Sequence, residues 1–206
     1  MAERGAARLT TLPNLLGIAR VAATPIVMVL LLVDGAGTDL AAAVLYLLAA
    51  LSDIADGWIA RRRDQVTPFG VFMDLAADKV LVAGVIIAMV QVDLVPAWIA
   101  ATILVREFVV QAVRQLAAAE DVVISARALG KAKTLAINLG LFVLLLASDA
   151  ATGGPMAGTS GLEPIGFWIL VAGTALGVVS GLAYLRGAWP ILVGRGATAP
   201  HDEARG

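Results

Sequence analysis

Six apolar runs, near residues 13–33, 40–60, 69–91, 94–117, 130–149 and 165–186, constrain this chain more than any other feature. Each is about the 20 residues that an α-helix needs to cross the hydrocarbon of a bilayer. A spanning segment must satisfy its own backbone hydrogen bonds, so only helices and closed barrels can span. Continuous apolar runs, rather than alternating ones, select helices. The 206-residue chain is 60% hydrophobic and 15% charged, well below the typical quarter. Its mean hydropathy is +0.89. The expectation is an all-α integral membrane protein of six transmembrane helices. A short interfacial helix precedes them and leads into a turn at Pro13. One membrane domain covers 1–190, and 191–206 forms a polar tail.

Charge sets the orientation. Every Lys or Arg falls at the N-terminus, at 61–63, 79, 106, 114 and 127–133, or from 186 onward. The segments 34–39, 91–96 and 148–164 hold none, only Asp34, Asp39, Asp93, Asp149 and Glu163. Cations mark cytoplasmic ends, which places both termini on the cytoplasmic side of the cell membrane. No small-x-small cleavage site follows an isolated apolar segment, which argues against a signal peptide. The net charge of −1 leaves no nucleic-acid footprint. Cysteine is absent and His201, the only histidine, lies in the tail, which excludes thiolate chemistry, a membrane-embedded Ser-His-Asp triad and paired-histidine chemistry.

Within these runs lie four carboxylates: Asp53 and Asp56, three apart, and Asp74 and Asp78, four apart. On helices each spacing puts both members of a pair on one face. Four carboxylates near lipid repel one another and are costly to desolvate unless a cation sits among them. Ligands that are all oxygen suit a hard ion such as Mg²⁺ or Mn²⁺. Gly57, Ala60 and Gly70 remove bulk beside them, so a flat group could approach the backbone.

The fourth run adds cations. Arg106 and Arg114 are eight apart, about two turns, and so share a face inside an apolar segment. Glu107 points about 100° away and is not expected to neutralise both. A guanidinium matches phosphate oxygens bidentately, so an anionic ligand is the natural partner. Lys131, Lys133 and Thr134 open the fifth run with two more cations and a hydroxyl; for Lys131 and Arg127 the alternative is plain flanking charge at a cytoplasmic end.

Asp53-x2-Asp56-Gly57-x2-Ala60-Arg61-x8-Gly70-x3-Asp74-x3-Asp78 resembles the signature of the CDP-alcohol phosphotransferase family, with all eight fixed positions filled. Three further stretches resemble the branch of that family whose acceptor is sn-glycerol 3-phosphate: Pro13-Asn14 with Arg20, Arg106-Glu107-x6-Arg114, and Gly130-Lys131-x-Lys133-Thr134. The resemblance covers roughly residues 12 to 140. Gly17 stands where the branch has Thr, Leu75 where Pro is frequent, and Asn138 where Gln is expected.

The resemblance implies the family's membrane fold, a homodimer, and transfer of a phosphatidyl group from CDP-diacylglycerol to sn-glycerol 3-phosphate, releasing CMP. It implies two divalent ions held by Asp53, Asp56 and Asp74, with Asp78 sharing one and acting as the base. It places Asn14, Asp53, Gly57, Ala60, Arg61 and Gly70 against CDP-diacylglycerol. Arg106, Arg114, Lys131 and Lys133 take the acceptor's phosphate. Sister enzymes, such as a cardiolipin synthase or a phosphatidylinositol phosphate synthase, stay open as alternatives. So does a cation transporter using the acidic cluster as its path, although the acidic pattern occurs once and no inverted repeat is seen.

Overall fold

The computed structural model describes residues 12–33, 35–62, 68–120 and 127–193. Among them the chain forms six α-helices and no strand: α1 Leu12–Leu32, α2 Thr38–Arg62, α3 Pro68–Gln91, α4 Ala97–Ala119, α5 Arg127–Ala151 and α6 Leu162–Leu192. The apolar runs locate all six. The proposed interfacial helix before Pro13 lies outside the described residues. The turn expected at Pro13 is corrected: Pro13 sits in the first turn of α1. There its missing N–H is one that no helix would satisfy anyway, and its fixed φ suits helix initiation.

Three helices, over Asn14–Leu32, Leu129–Ala151 and Leu162–Leu192, are long and apolar enough to cross a membrane by length and composition. A shorter apolar stretch, Thr38–Ser52, lies in α2. Large apolar side chains stand exposed around the bundle, including Phe108, Leu135 and Leu48. Trp98 near the start of α4, Trp168 near the start of α6 and Trp189 near its end are also exposed. Exposed apolar belts edged by tryptophan suit lipid contact.

Successive helices run back and forth, so the starts of α3 and α5 share one end of the bundle with the ends of α2, α4 and α6. Between α3 and α4 the chain turns through Asp93 at φ 59, a left-handed conformation that Asp tolerates better than bulkier residues. Around the core of Val27, Tyr46, Leu81, Ile86, Ile99, Leu141, Leu144 and Leu170, α1 packs on α2 and α3, and α2 on α5. The most extensive contact is between α5 and α6. Small residues set it: a Cβ on Gly140 would lie 2.8 Å from Leu170 N, and one on Gly173 2.9 Å from Ile137 N. Close backbone approach of this kind supplies dispersion where lipid removes the hydrophobic drive between helices.

At the opposite end from those starts, two buried carboxylates tie the connections down. Asp149 accepts the backbone N–H of Leu40 at 3.2 Å and that of Met156 at 2.8 Å. Asp39 accepts the hydroxyl of Ser148 at 2.6 Å. The cation-free loops read from the sequence as orientation signals thus also hold α2 to α5.

Candidate active site

A cavity of about 840 Å³ opens among α2, α3, α4, α5 and α6. Asp78 and Lys79 of α3, Arg106, Glu107 and Arg114 of α4, and Lys131 and Lys133 of α5 all line it. The chain thus brings one motif carboxylate together with every cation assigned from sequence to the acceptor phosphate. Among the described lining residues, five cations face two carboxylates. The excess arises because segments of three helices, each carrying Lys or Arg, converge here.

Asp53, Asp56, Gly57, Ala60 and Arg61 are on the last turns of α2, and Asp74 is on α3 four residues before Asp78. Their side chains lie outside the described residues. Among the described side chains, no group of three carboxylate, His or Cys residues gathers. The backbone still bears on the expected metal site, because α2 and α3 contact each other and bring the two acidic segments to the same end of the bundle. The donors expected there would be carboxylate oxygens alone, a set that fits Mg²⁺ or Mn²⁺. Asn14 is 1% exposed on the first turn of α1, and Gly70 lies in the first turn of α3. Neither is among the described residues lining the cavity.

Glu107 departs from expectation. Its Oε1 lies 2.6 Å from Arg106 Nη1 and 2.5 Å from Lys133 Nζ. The helical angle between neighbouring positions is about 100°, yet both side chains are long enough to curl toward each other around the helix. Arg106 therefore has an acidic partner on its own helix, so an anionic ligand is not its sole counter-charge as the spacing suggested. Its remaining nitrogens reach α6: Nε donates to Gly177 O at 3.0 Å and Nη2 to Ser180 Oγ at 2.7 Å. Gly177 and Gly181 make room, since a Cβ on Gly181 would lie 3.3 Å from Arg106 Cγ. Arg114 stands differently. Its guanidinium carbon is 5.4 Å from the ring centroid of Tyr184, a cation–π distance, and the residue is exposed to the cavity. Lys131 is also exposed.

Arg20, Tyr46 and Asn138 were not selected from sequence as site residues. Arg20 is 1% exposed and donates from Nε to Ala49 O at 3.1 Å and from Nη2 to Ser52 Oγ at 3.1 Å. It fastens α1 to the turn of α2 just before Asp53. The signal was available, since Arg20 is an arginine within an apolar run, as Arg106 is. Tyr46 donates to Asn138 Oδ1 at 2.6 Å on the cavity wall. The departure at Asn138 thus has a structural role, although neither residue carries a charge to mark it. A Cβ at Gly17 would lie 3.2 Å from Met73 Cβ, so the threonine of the family pattern would crowd α3 here.

The family model for CDP-alcohol phosphatidyltransferase matches residues 10–179. A *Bacillus subtilis* (strain 168) protein named CDP-diacylglycerol–glycerol-3-phosphate 3-phosphatidyltransferase is 40% identical over 147 residues, 66% of this chain and 76% of the relative. A *Rickettsia bellii* protein of the same name is 34% identical over 85% of this chain and 93% of its own length. A rice protein named cardiolipin synthase (CMP-forming) is 32% identical over 90% of this chain and 60% of its own length.

Proposed function

The chain belongs to the CDP-alcohol phosphatidyltransferase family, and from that membership we propose that it transfers the phosphatidyl group of CDP-diacylglycerol to sn-glycerol 3-phosphate. The products are phosphatidylglycerol phosphate and CMP. The observation that carries the reading is the single cavity in which Asp78 meets Arg106, Arg114, Lys131 and Lys133. A carboxylate can accept the proton of an attacking hydroxyl. A cluster of cations beyond the acidic motif suits an anionic acceptor, and glycerol 3-phosphate carries a phosphate beside its free hydroxyl. The names of the bacterial relatives support the same acceptor.

Asp78 would take the proton from the glycerol hydroxyl as its oxygen attacks the phosphorus that bears the diacylglycerol. The pyrophosphate P–O bond breaks and CMP departs. Asp53, Asp56, Asp74 and Asp78 would hold two divalent ions, Mg²⁺ or Mn²⁺, which supply charge neutralisation for the diphosphate and the leaving CMP. Gly57 and Ala60 would leave a slot for the nucleotide, with Asn14, Arg61 and Gly70 contributing to the donor's binding. Arg114 and Lys131 are the cations most open to the acceptor's phosphate. The acyl chains stay in lipid. Six membrane spans, a site and both termini on the cytoplasmic side of the cell membrane, and the homodimer that the family resemblance implies belong to the same proposal.

The test is purified protein in detergent with CDP-diacylglycerol, Mg²⁺ or Mn²⁺, and a panel of acceptors, scored for CMP. The expected result is release that depends on glycerol 3-phosphate and not on glycerol. Release that depends instead on phosphatidylglycerol would replace this reading with the cardiolipin synthase one, to which the rice relative points.

A further inference from the structure

Glu107 pairs with two cations at once through Oε1. Its side chain keeps 24% of its accessibility, whereas those of Arg106 and Lys133 keep 11% and 8%. The carboxylate is thus the most accessible of the three charged groups. All three residues line the large cavity, and Glu107 and Lys133 also line a 150 Å³ recess beside it with Asp78. An anion entering the cavity finds Arg114 and Lys131 exposed, whereas Arg106 Nη1 and Lys133 Nζ are already taken by Glu107 Oε1. Arg106 does not depend on Glu107 for its position, because its bonds to Gly177 O and Ser180 Oγ tether it to α6. Were Glu107 to swing aside, Arg106 would stay aimed with Nη1 vacated.

We propose that Glu107 is a resident counter-anion, which neutralises Arg106 and Lys133 in the empty cavity and is displaced from them by the phosphate of the acceptor. The proposal rests on the phosphorylated-acceptor reading above. Two largely buried cations without an anion would be costly in an apolar bundle. The carboxylate removes that cost with one oxygen. A phosphate dianion offers more charge and three terminal oxygens, and so can outcompete it. The acceptor's phosphate remains on the product, so the returning carboxylate also helps release it. Glu107 thus weakens the ground-state binding of phosphorylated ligands and favours turnover.

Glu107→Gln tests this in the CMP-release assay at saturating CDP-diacylglycerol, with inorganic phosphate as a competing anion. The KM for glycerol 3-phosphate and the inhibition constant for inorganic phosphate should each fall roughly tenfold, with a lower kcat from slower product release. Glu107→Asp keeps the charge but is a methylene too short to hold both cations, and should lower the same constants by less. A purely structural Glu107 gives the opposite sign: Lys133 would lose its alignment and both constants would rise. A rise or no change overturns the proposal, and if Glu107→Gln does not fold, the sign for Glu107→Asp decides. Wild-type CMP release that ignores glycerol 3-phosphate overturns the acceptor assignment and this proposal together. Wild-type dependence on it, with unmoved constants in the variants, overturns the resident-anion role alone.

Discussion

Tyr46 on α2 donates its hydroxyl to Asn138 Oδ1 on α5 at 2.6 Å, and Asn138 Nδ2 donates to Thr134 O at 3.0 Å. The second bond sets the orientation of the amide, which commits the tyrosine hydroxyl to the donor role. The pair joins two helices that both wall the cavity. Tyr46→Phe would leave the amide oxygen without its donor, at about 1–3 kcal/mol. Thermal unfolding in detergent should show a Tm lowered by several degrees, at roughly 2–4 °C per kcal/mol for a chain of this size. An unchanged Tm would show that this bond does not help hold α2 on α5.

Arg114 is the arginine open to the cavity, with Tyr184 beneath it. Arg114→Ala should raise the KM for glycerol 3-phosphate by about tenfold or more, the equivalent of a charge-assisted bond worth roughly 1.5–3 kcal/mol. The KM for CDP-diacylglycerol should barely move. Arg114→Lys should rescue only part of the loss, because a point charge lacks the bidentate fork. If donor affinity collapsed instead, Arg114 would belong to the CDP-diacylglycerol side of the site.

Asp78→Asn should abolish CMP release and leave CDP-diacylglycerol binding largely intact, since it removes the proposed proton acceptor and leaves the other three carboxylates of the proposed metal site in place. Asp56→Ala should abolish activity and also weaken divalent-ion binding, measured by calorimetry on the purified protein. Near-normal turnover in Asp78→Asn would remove Asp78 from the role of base.

The orientation can be tested with single cysteines, because the chain has none. Ala157→Cys, in the exposed loop between α5 and α6, should react with an impermeant maleimide in intact cells. Gln115→Cys, exposed near the end of α4, should react only after permeabilisation. The reverse labelling pattern would move the site to the other side of the membrane.

Gly154 has a carboxylate where its side chain would be: a Cβ there would lie 2.0 Å from Asp149 Oδ1. Gly154→Ala must displace Asp149, which accepts the Leu40 and Met156 backbone N–H groups. The expected result is a Tm lowered by several degrees with the KM for glycerol 3-phosphate unchanged, since the cavity is at the other end of the bundle. A shifted KM with an unaltered Tm would contradict that separation.

The sequence alone placed the six helices of the described residues, because each coincides with one long apolar run. It also determined the cations of the cavity, because an arginine or lysine within such a run is conspicuous and costly. It did not reveal which helix faces which. In lipid, the face that packs and the face that meets acyl chains are both apolar, so the periodicity that betrays a soluble helix's buried face is muted. Tertiary structure decided that Arg20 fastens to Ala49 and Ser52, 29 and 32 residues away, and that Tyr46 reaches Asn138 across 92. It decided that Asp39 and Asp149 secure loops 109 residues apart. It also turned Glu107 onto Arg106 and Lys133, against the angle its position suggests, because three long side chains from α4 and α5 meet in the cavity between them and one carboxylate oxygen there satisfies two cations at once.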